Sequence, residues 1–402
     1  MSWHEMEFEK LYAIPSKNGL TRPARVRGSG FKMINMGELF AHDRIGDINM
    51  ELVPMNEKEL SAMLVESGDL LFARQSLVLA GAGKCSIVAK VEEPTTFESH
   101  IIRVRLKRDI ADPGFFYYYF KSPICRIRSI VTQGVQAGIR GNDLKALKVH
   151  VPDITEQQRI ASILSAYDDL IENNRRRIQL LEQAARLLYK EWFVHLRFPG
   201  HEHVKIKNGV PEGWECLTLG EIAHTNEESY KAKALPAEIN YIDISSVKQG
   251  RILTKTAMLS SEAPGRARRK AKDGDVIWSN VRPNLRAYAL VLEPEDVDVF
   301  STGFTVLSAK KVPFTWLYLF TTTDSFVGHL VNHATGAGYP AVRPDDFERP
   351  DVVVPPKALL SLFHESVEPS FRQISKLEQY NQCLAKARDL LLPRLMSGEI
   401  AA

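Results

Sequence analysis

The chain has 402 residues, 44% of them hydrophobic and 25% charged, with 52 Lys and Arg against 49 Asp and Glu for a net charge of +3. That length exceeds what one core holds and implies two or more domains, while the composition excludes a disordered or fibrous chain. The near-neutral balance neither demands nor excludes nucleic acid, because a local basic surface matters more than the sum.

In chain order, residues 1–151 show short β-type runs, Asp69 to Phe72, Ser86 to Ala89 and Ile101 to Leu106, broken by Gly, Pro and Asn turns, with a helix-like aromatic stretch from Phe115 to Phe120. This predicts a mixed α/β globule. Residues 152–196 then read as one long helix, with Thr155 and Gln158 spaced as a capping box at its start. Its apolar residues recur at the three-four spacing of a coiled-coil seam, through Ile160, Leu164, Tyr167, Ile171, Ile178, Leu181, Ala185, Leu188 and Trp192, interrupted by Asn174. A Pro- and Gly-rich connector, residues 197–213, leads into a second β-rich globule, 214–354. A second long helix, in 355–402, follows with a seam of Phe363, Val367, Ile374, Leu377, Leu384, Leu391 and Leu395, interrupted by Asn381 and Arg388.

Residues 131–196 and 334–399 repeat one another at a constant offset of about 203, matching at Thr132/Thr335, Arg140/Arg343, Asp143/Asp346, Val149/Val352, Pro152/Pro355, Ile171/Ile374 and Leu188/Leu391 among others. The fold expected is therefore α+β: two mixed α/β globules joined by two long helices.

The interrupting asparagines give the helices a direction. Parallel pairing in the repeat register would set Asn174 against Leu377 and Asn381 against Ile178, stranding two buried amides at roughly 1 to 3 kcal/mol each. Antiparallel pairing with Asn174 opposite Asn381 instead sets Ile178 against Leu377, Leu181 against Ile374, Ile171 against Leu384, Leu164 against Leu391, Leu188 against Val367 and Trp192 against Phe363. It also brings Arg388 to Tyr167 for a cation-π contact. The competing reading leaves both asparagines on an exposed flank. An antiparallel coiled coil makes the chain pseudo-twofold, as duplex DNA is. Helices of about 40 residues span roughly 60 Å, more than one DNA turn of about 34 Å, which suits a split target.

The stretch VPDITEQQRIASILSAYDDLIENNRRRIQLLEQAARLLYKEWFVHLRFPGHE (151–202) resembles the central conserved region of the specificity subunit of type I restriction-modification systems, and the sequence from Val354 to Ile400 resembles its distal counterpart. The motifs GDLLFAR (68–74) and GDVIWSN (274–280) stand at similar places in the two halves. The resemblance implies two target-recognition domains, each reading one half of a bipartite double-stranded DNA site. It also implies that the helices act as spacer and docking surface for two modification (methyltransferase) subunits. Restriction (translocase and nuclease) subunits would join when present, and S-adenosylmethionine, ATP and Mg would belong to those partners, with no cofactor and no catalysis in this chain.

Candidate catalytic constellations in the chain are incomplete. Gly81-Ala-Gly-Lys-Cys85 lacks the first glycine and the Ser or Thr of a phosphate loop. His329 and His333 lack the following Glu of a zinc hydrolase, and His195, His201 and His203 lie in the connector without a further ligand, so no metal site is expected. The cysteines, Cys85, Cys125, Cys216 and Cys383, are scattered, as suits a reducing cytoplasm. No apolar run approaches twenty residues and the opening MSWHEMEFEK is polar, so a soluble, unexported protein is expected. A coiled-coil scaffold whose globules bind RNA or protein is the alternative, and a stand-alone nuclease a third reading without a metal-carboxylate signature.

DNA contacts are expected from basic and amide residues next to turns, with a solvated surface as the competing reading for any single Arg. The first globule offers Arg22, Arg25, Arg27 and Lys32 in a Gly-Ser loop, Arg74 and Gln75 after a buried strand, and Arg140 and Asn142. The second offers Gly265 to Lys272 as a phosphate-binding loop with Arg266, Arg268, Arg269, Lys270 and Lys272. Beyond it come Asn280, Arg282, Asn284 and Arg286, and the Gly-rich loop leading to Tyr339 and Arg343. Arg can pair bidentately with guanine and Asn or Gln with adenine, while Lys and clustered Arg mostly neutralise phosphate.

Overall fold

The computed structural model describes residues 3–134, 136–231 and 234–402. The chain forms two compact units, Met1–Asn173 with Tyr380–Ala402, and Asn174–Gln379. Each contains one globule and about half of each long helix, Ile154–Tyr189 and Lys357–Met396.

In the first unit a five-stranded sheet runs in the order Tyr12–Asn18, Ile101–Leu106, Leu70–Ala73, Cys85–Val88, Arg44–Ile45. The strand Leu70–Ala73 is central and buried on both faces, which is why it reads as a continuous apolar run without alternation. A smaller sheet joins Glu51–Val53, Phe31–Ile34 and Thr95–Phe97. Against the large sheet lies the helix Pro113–Lys121, capped by the Asp112 carboxylate, which accepts the Phe115 N–H at 2.8 Å. Its rings make the core with Phe8 and Phe72: Phe8 and Phe72 each meet Phe120 edge-on at 4.8 Å between centroids.

The second unit repeats this plan. Val276–Ser279 is flanked by Phe304–Ala309 and Tyr288–Leu290, with Ala223–Thr225 at the far edge. A second sheet orders Thr256–Leu259, Glu238–Ile242, Asp298–Ser301 and Ala267–Arg269. The helix Phe314–Thr321 takes the place of Pro113–Lys121, and Trp278, Trp316, Phe326 and Phe347 fill the core.

The long helices run antiparallel within each unit. In the first, Leu164 shares a core with Leu391, Leu392 and Leu395, while four residues on Asp168 binds Arg388, so numbers rise along one helix as they fall along the other. In the second, Trp192 meets Phe363 at 5.7 Å and Glu182 faces Glu378. Asn174 and Asn381 belong to different units.

Two local expectations are corrected. Arg388 is held by the carboxylate of Asp168, which also accepts the Tyr118 hydroxyl at 2.6 Å; an ion pair outweighs the cation-π contact expected at Tyr167. The first long helix is capped by Asp153, whose carboxylate accepts the N–H groups of Thr155 and Glu156 at 3.0 and 3.1 Å. Thr155 is already helical, so the Thr155/Gln158 box does not form. The neighbouring Gln157 is buried and joins helix to globule: its amide oxygen accepts the Asp112 N–H at 2.8 Å and its nitrogen donates to the carbonyls of Ile110 and Pro152 at 3.0 and 2.8 Å.

Candidate nucleic-acid interface

The two Gly-Asp motifs are turns that launch the central strands. Gly68 and Gly274 have φ of +91° and +87°, a region open to glycine, and each following Asp accepts a main-chain N–H from three residues back at 2.8 Å, Glu66 to Asp69 and Lys272 to Asp275. The environments then differ. Arg105 grips Asp69 from Nε at 2.7 Å, whereas burial pushes the Asp275 carboxyl up to about 6.

Each strand ends by delivering polar residues to a clamp made with the repeated segment. In the first unit Ile139 donates its N–H to the Arg74 carbonyl at 2.9 Å, and Gln75–Ser76 pairs with Ala137–Gly138, which pairs in turn with Thr132–Gln133. In the second, Arg282 donates to the Pro340 carbonyl at 2.7 Å, Val342 donates to the Asn280 carbonyl at 2.9 Å, and Thr335 and Ala341 exchange two bonds of 2.9 Å. Both hairpins lead into a short helix, Gly141–Ala146 or Pro344–Glu348, whose N-cap residues are the repeat-equivalent Arg140 and Arg343. Residues about 60 apart in sequence are thereby gathered: Arg74 and Gln75 with Arg140 and Asn142, and Asn280, Arg282, Asn284 and Arg286 with Tyr339 and Arg343. The Arg282 guanidinium lies 4.7 Å from the centre of the exposed Tyr339 ring.

Other candidates are placed differently. Arg22 pairs with Glu59 at 2.6 Å, Arg27 with Glu51 at 2.5 Å, and Lys32 with Asp47 at 2.8 Å and Glu93 at 3.4 Å. These cations are largely neutralised within the fold. Gly265 to Lys272 is not an open loop: Ala267–Arg269 is a strand paired with Asp298–Ser301, because the small Ala267 fits into the core. Lys270 pairs with Glu228 at 3.5 Å and Lys272 with Glu227 at 2.7 Å, while Arg266 donates to the Tyr241 hydroxyl at 3.1 Å, Arg269 to Ser229 at 3.0 Å and Arg268 to the Ala267 carbonyl at 2.6 Å. Arg286 is paired with Asp324, and the Asn280 amide oxygen accepts the Thr305 hydroxyl at 2.6 Å, which holds the strand exit. The exposed Arg25, Arg140 and Arg343 have no ion-pair partner among the described residues.

Gly81-Ala-Gly-Lys-Cys85 serves packing. A Cβ at Gly81 would stand 2.3 Å from the Ser76 hydroxyl, Lys84 donates to the Phe40 carbonyl at 2.8 Å and pairs with Asp43 at 3.1 Å, and Cys85 is buried. His329 contacts the Asp346 carbonyl at 2.9 Å and His333 the His329 carbonyl at 2.8 Å. Among the described residues no group of three or more His, Cys, Asp or Glu could hold a metal ion, and no helix is long and apolar enough to cross a membrane. Nothing in the basic-residue pattern points to Leu77, Val78 and Leu79, three exposed apolar side chains directly after Gln75–Ser76.

Comparison with known proteins fits this architecture. The family model described as type I restriction modification DNA specificity domain matches residues 30–183. The chain is 23% identical to the type I restriction enzyme MjaIX specificity subunit of Methanocaldococcus jannaschii over 87% of this chain and 83% of that one. It is 22% identical to the HindI specificity subunit of Haemophilus influenzae over 91% and 94%. The crystal structure of a type I restriction-modification S subunit from M. genitalium shares the fold across 98% of this chain and 96% of that one, at a TM-score of 0.60 and 17% identity. Along most of its length the chain is thus similar to the specificity subunits of type I restriction-modification systems, and it shares the fold of one of them nearly end to end.

Proposed function

We propose that this chain is the DNA sequence-specificity subunit of a type I restriction-modification complex, each unit reading one half of a bipartite double-stranded site. The observation that carries this reading is the duplicated clamp, in which a strand exit, a Gly-containing hairpin and an Arg-capped short helix assemble polar side chains on one surface in both units. Rigid scaffolds that present Arg, Gln and Asn at turns suit base edges and phosphates together. The chain selects the site and contributes no catalytic group. Methylation belongs to two modification subunits that hold S-adenosylmethionine, and translocation and cleavage to restriction subunits that use ATP and Mg, all in the cytoplasm.

The helices supply the docking surface for the modification subunits. Outside the seam they leave large apolar side chains in water: Leu170, Tyr380 and Leu390 in the first unit, and Leu180, Leu187 and Leu362 in the second. In heptad terms these residues fall on one flank of each helix, as a further helix packed alongside would require.

Exchanging residues 1–150 for the matching segment of another specificity subunit, in the assembled methyltransferase, tests the reading. Genome-wide mapping of methylated bases is expected to show one half of the site changed and the other kept. A change in both halves would rule out independent reading, and indifference to duplex DNA at low salt would favour a scaffold that binds RNA or protein.

A further inference from the structure

Directly after the central strand and its polar residues, each unit carries a single tight turn that holds apolar side chains out in solvent. In the first unit the turn Leu79–Gly81 follows Gln75–Ser76, leaving Leu77 85% and Val78 62% exposed. In the second the turn Pro283–Leu285 follows Asn280, and Leu285 is 57% exposed. Leu79 and Leu285 are separated by 206 residues, the offset that also relates Gly68 to Gly274. At this offset the two turns overlap at Leu79 and Leu285, so a similar device follows the central strand in both units.

Neither turn is loose. The Arg128 guanidinium donates to the carbonyls of Leu79, Ala80 and Ala82 at 3.1, 2.8 and 3.2 Å, the Ser76 hydroxyl accepts the Val78 N–H at 3.2 Å, and a Cβ at Gly81 would stand 2.3 Å from that hydroxyl. The second turn is bracketed by Arg282 and Arg286 at φ of +50° and +55°, a conformation that costs non-glycine residues energy and is retained where the surroundings impose it. Exposed apolar groups held rigidly next to a polar surface mark a contact surface.

We infer that these turns are base-reading elements whose apolar tips, Leu77 and Val78 in one unit and Leu285 in the other, pack on thymine C5-methyl groups in the major groove. This rests on the proposed reading of duplex DNA by each unit. The tips follow the strand exits that carry Arg74, Gln75, Asn280 and Arg282, so they meet the same partner, and the thymine methyl is the apolar feature that a base edge offers there. The polar residues then select by hydrogen bonds and the turns by the presence or absence of a methyl group.

The test uses the assembled methyltransferase and duplexes bearing its mapped site, with thymine replaced by deoxyuridine in one half at a time. The wild-type complex is expected to bind at least one deoxyuridine half about three- to tenfold more weakly, the size of one or two buried methyl groups. Leu77→Ala with Val78→Ala, or Leu285→Ala, is expected to weaken thymine duplex to the same extent and to abolish the thymine-deoxyuridine difference in its own half only. These side chains face solvent, and unchanged thermal midpoints would show the variants folded. A wild type indifferent to deoxyuridine in both halves, or variants that keep the full difference, would overturn the inference while split-site binding persists. Failure of the wild type to bind duplex DNA at all would instead overturn the reading it rests on.

Discussion

Asp275 and Asp69 close the same turn, yet only Asp69 is gripped by a guanidinium. Burial raises the Asp275 carboxyl from its unfolded value of 3.8 to about 6, so the folded state binds that proton more tightly than the unfolded chain. Its contribution to stability is complete below pH 4 and is lost as pH climbs through 6. Asp275→Asn is expected to flatten that decline and to gain about 1 to 3 kcal/mol at pH 7 over the wild type, read from urea midpoints between pH 4 and pH 7. Phosphate contact is judged at the same scale. Lys270 and Lys272 already face Glu228 and Glu227, whereas Arg140 and Arg343 are open. Replacing both lysines with Gln should change the salt slope of duplex binding by less than about one, while Arg140→Gln or Arg343→Gln each lowers it by about one; equal slopes for all would contradict this assignment. The basic residues were visible in the sequence. The carboxylates that neutralise many of them, such as Glu59 for Arg22 and Asp47 for Lys32, come from distant segments, and local pattern carries no trace of them.

The long helices were legible because an apolar period survives any sequence distance, and the seam residues Leu164, Ile171, Ile178, Trp192, Phe363 and Leu377 are buried, with Leu181, Leu188, Ile374, Leu384 and Leu391 partly so. What joins each helix to its globule was only partly legible, since shared apolar cores are reinforced by single polar contacts that no period announces. In the first unit Asp168 accepts from both Tyr118 and Arg388, tying the aromatic helix to both long helices. Asp168→Ala strands a half-buried guanidinium and a buried hydroxyl, and is expected to cost about 3 to 5 kcal/mol in chemical denaturation of the first unit. Asp168→Asn, which keeps an acceptor, should cost less. The end of the first helix meets the second helix through aromatic rings. It widens into a π turn over Lys190–Val194, where His195 donates to the Lys190 carbonyl at 2.8 Å, and this lets the consecutive Trp192 and Phe193 both reach Phe363, at 5.7 and 4.8 Å. A period of 3.6 anticipates the first of these contacts and not the second.

For the molecule as a whole, the repeat at an offset of about 203 announced two similar bodies, but the bodies do not coincide with the two halves of the sequence. Chain connectivity groups the last helix with the second globule, whereas its final turns complete the first: Leu392, Leu395 and Met396 are 8%, 2% and 0% exposed in a core with Phe115, Ile160 and Leu164. Three apolar side chains at about 1.5 to 3 kcal/mol each amount to roughly 5 to 9 kcal/mol, comparable with the whole stability of a domain. Removing residues 380–402 should therefore unfold the unit at the opposite end of the sequence. In amide hydrogen exchange the truncated chain is expected to lose protection across Leu70–Ala73, Ile101–Leu106 and Pro113–Lys121. Val276–Ser279 and Phe304–Ala309 should keep theirs, because among the described residues the core around Trp278 and Trp316 draws on the long helices between Ala185 and Phe193 and between Leu359 and Ile374, all outside the deleted segment. Loss of protection confined to the second unit would mean that sequence neighbourhood, not shared core, governs how this chain holds together.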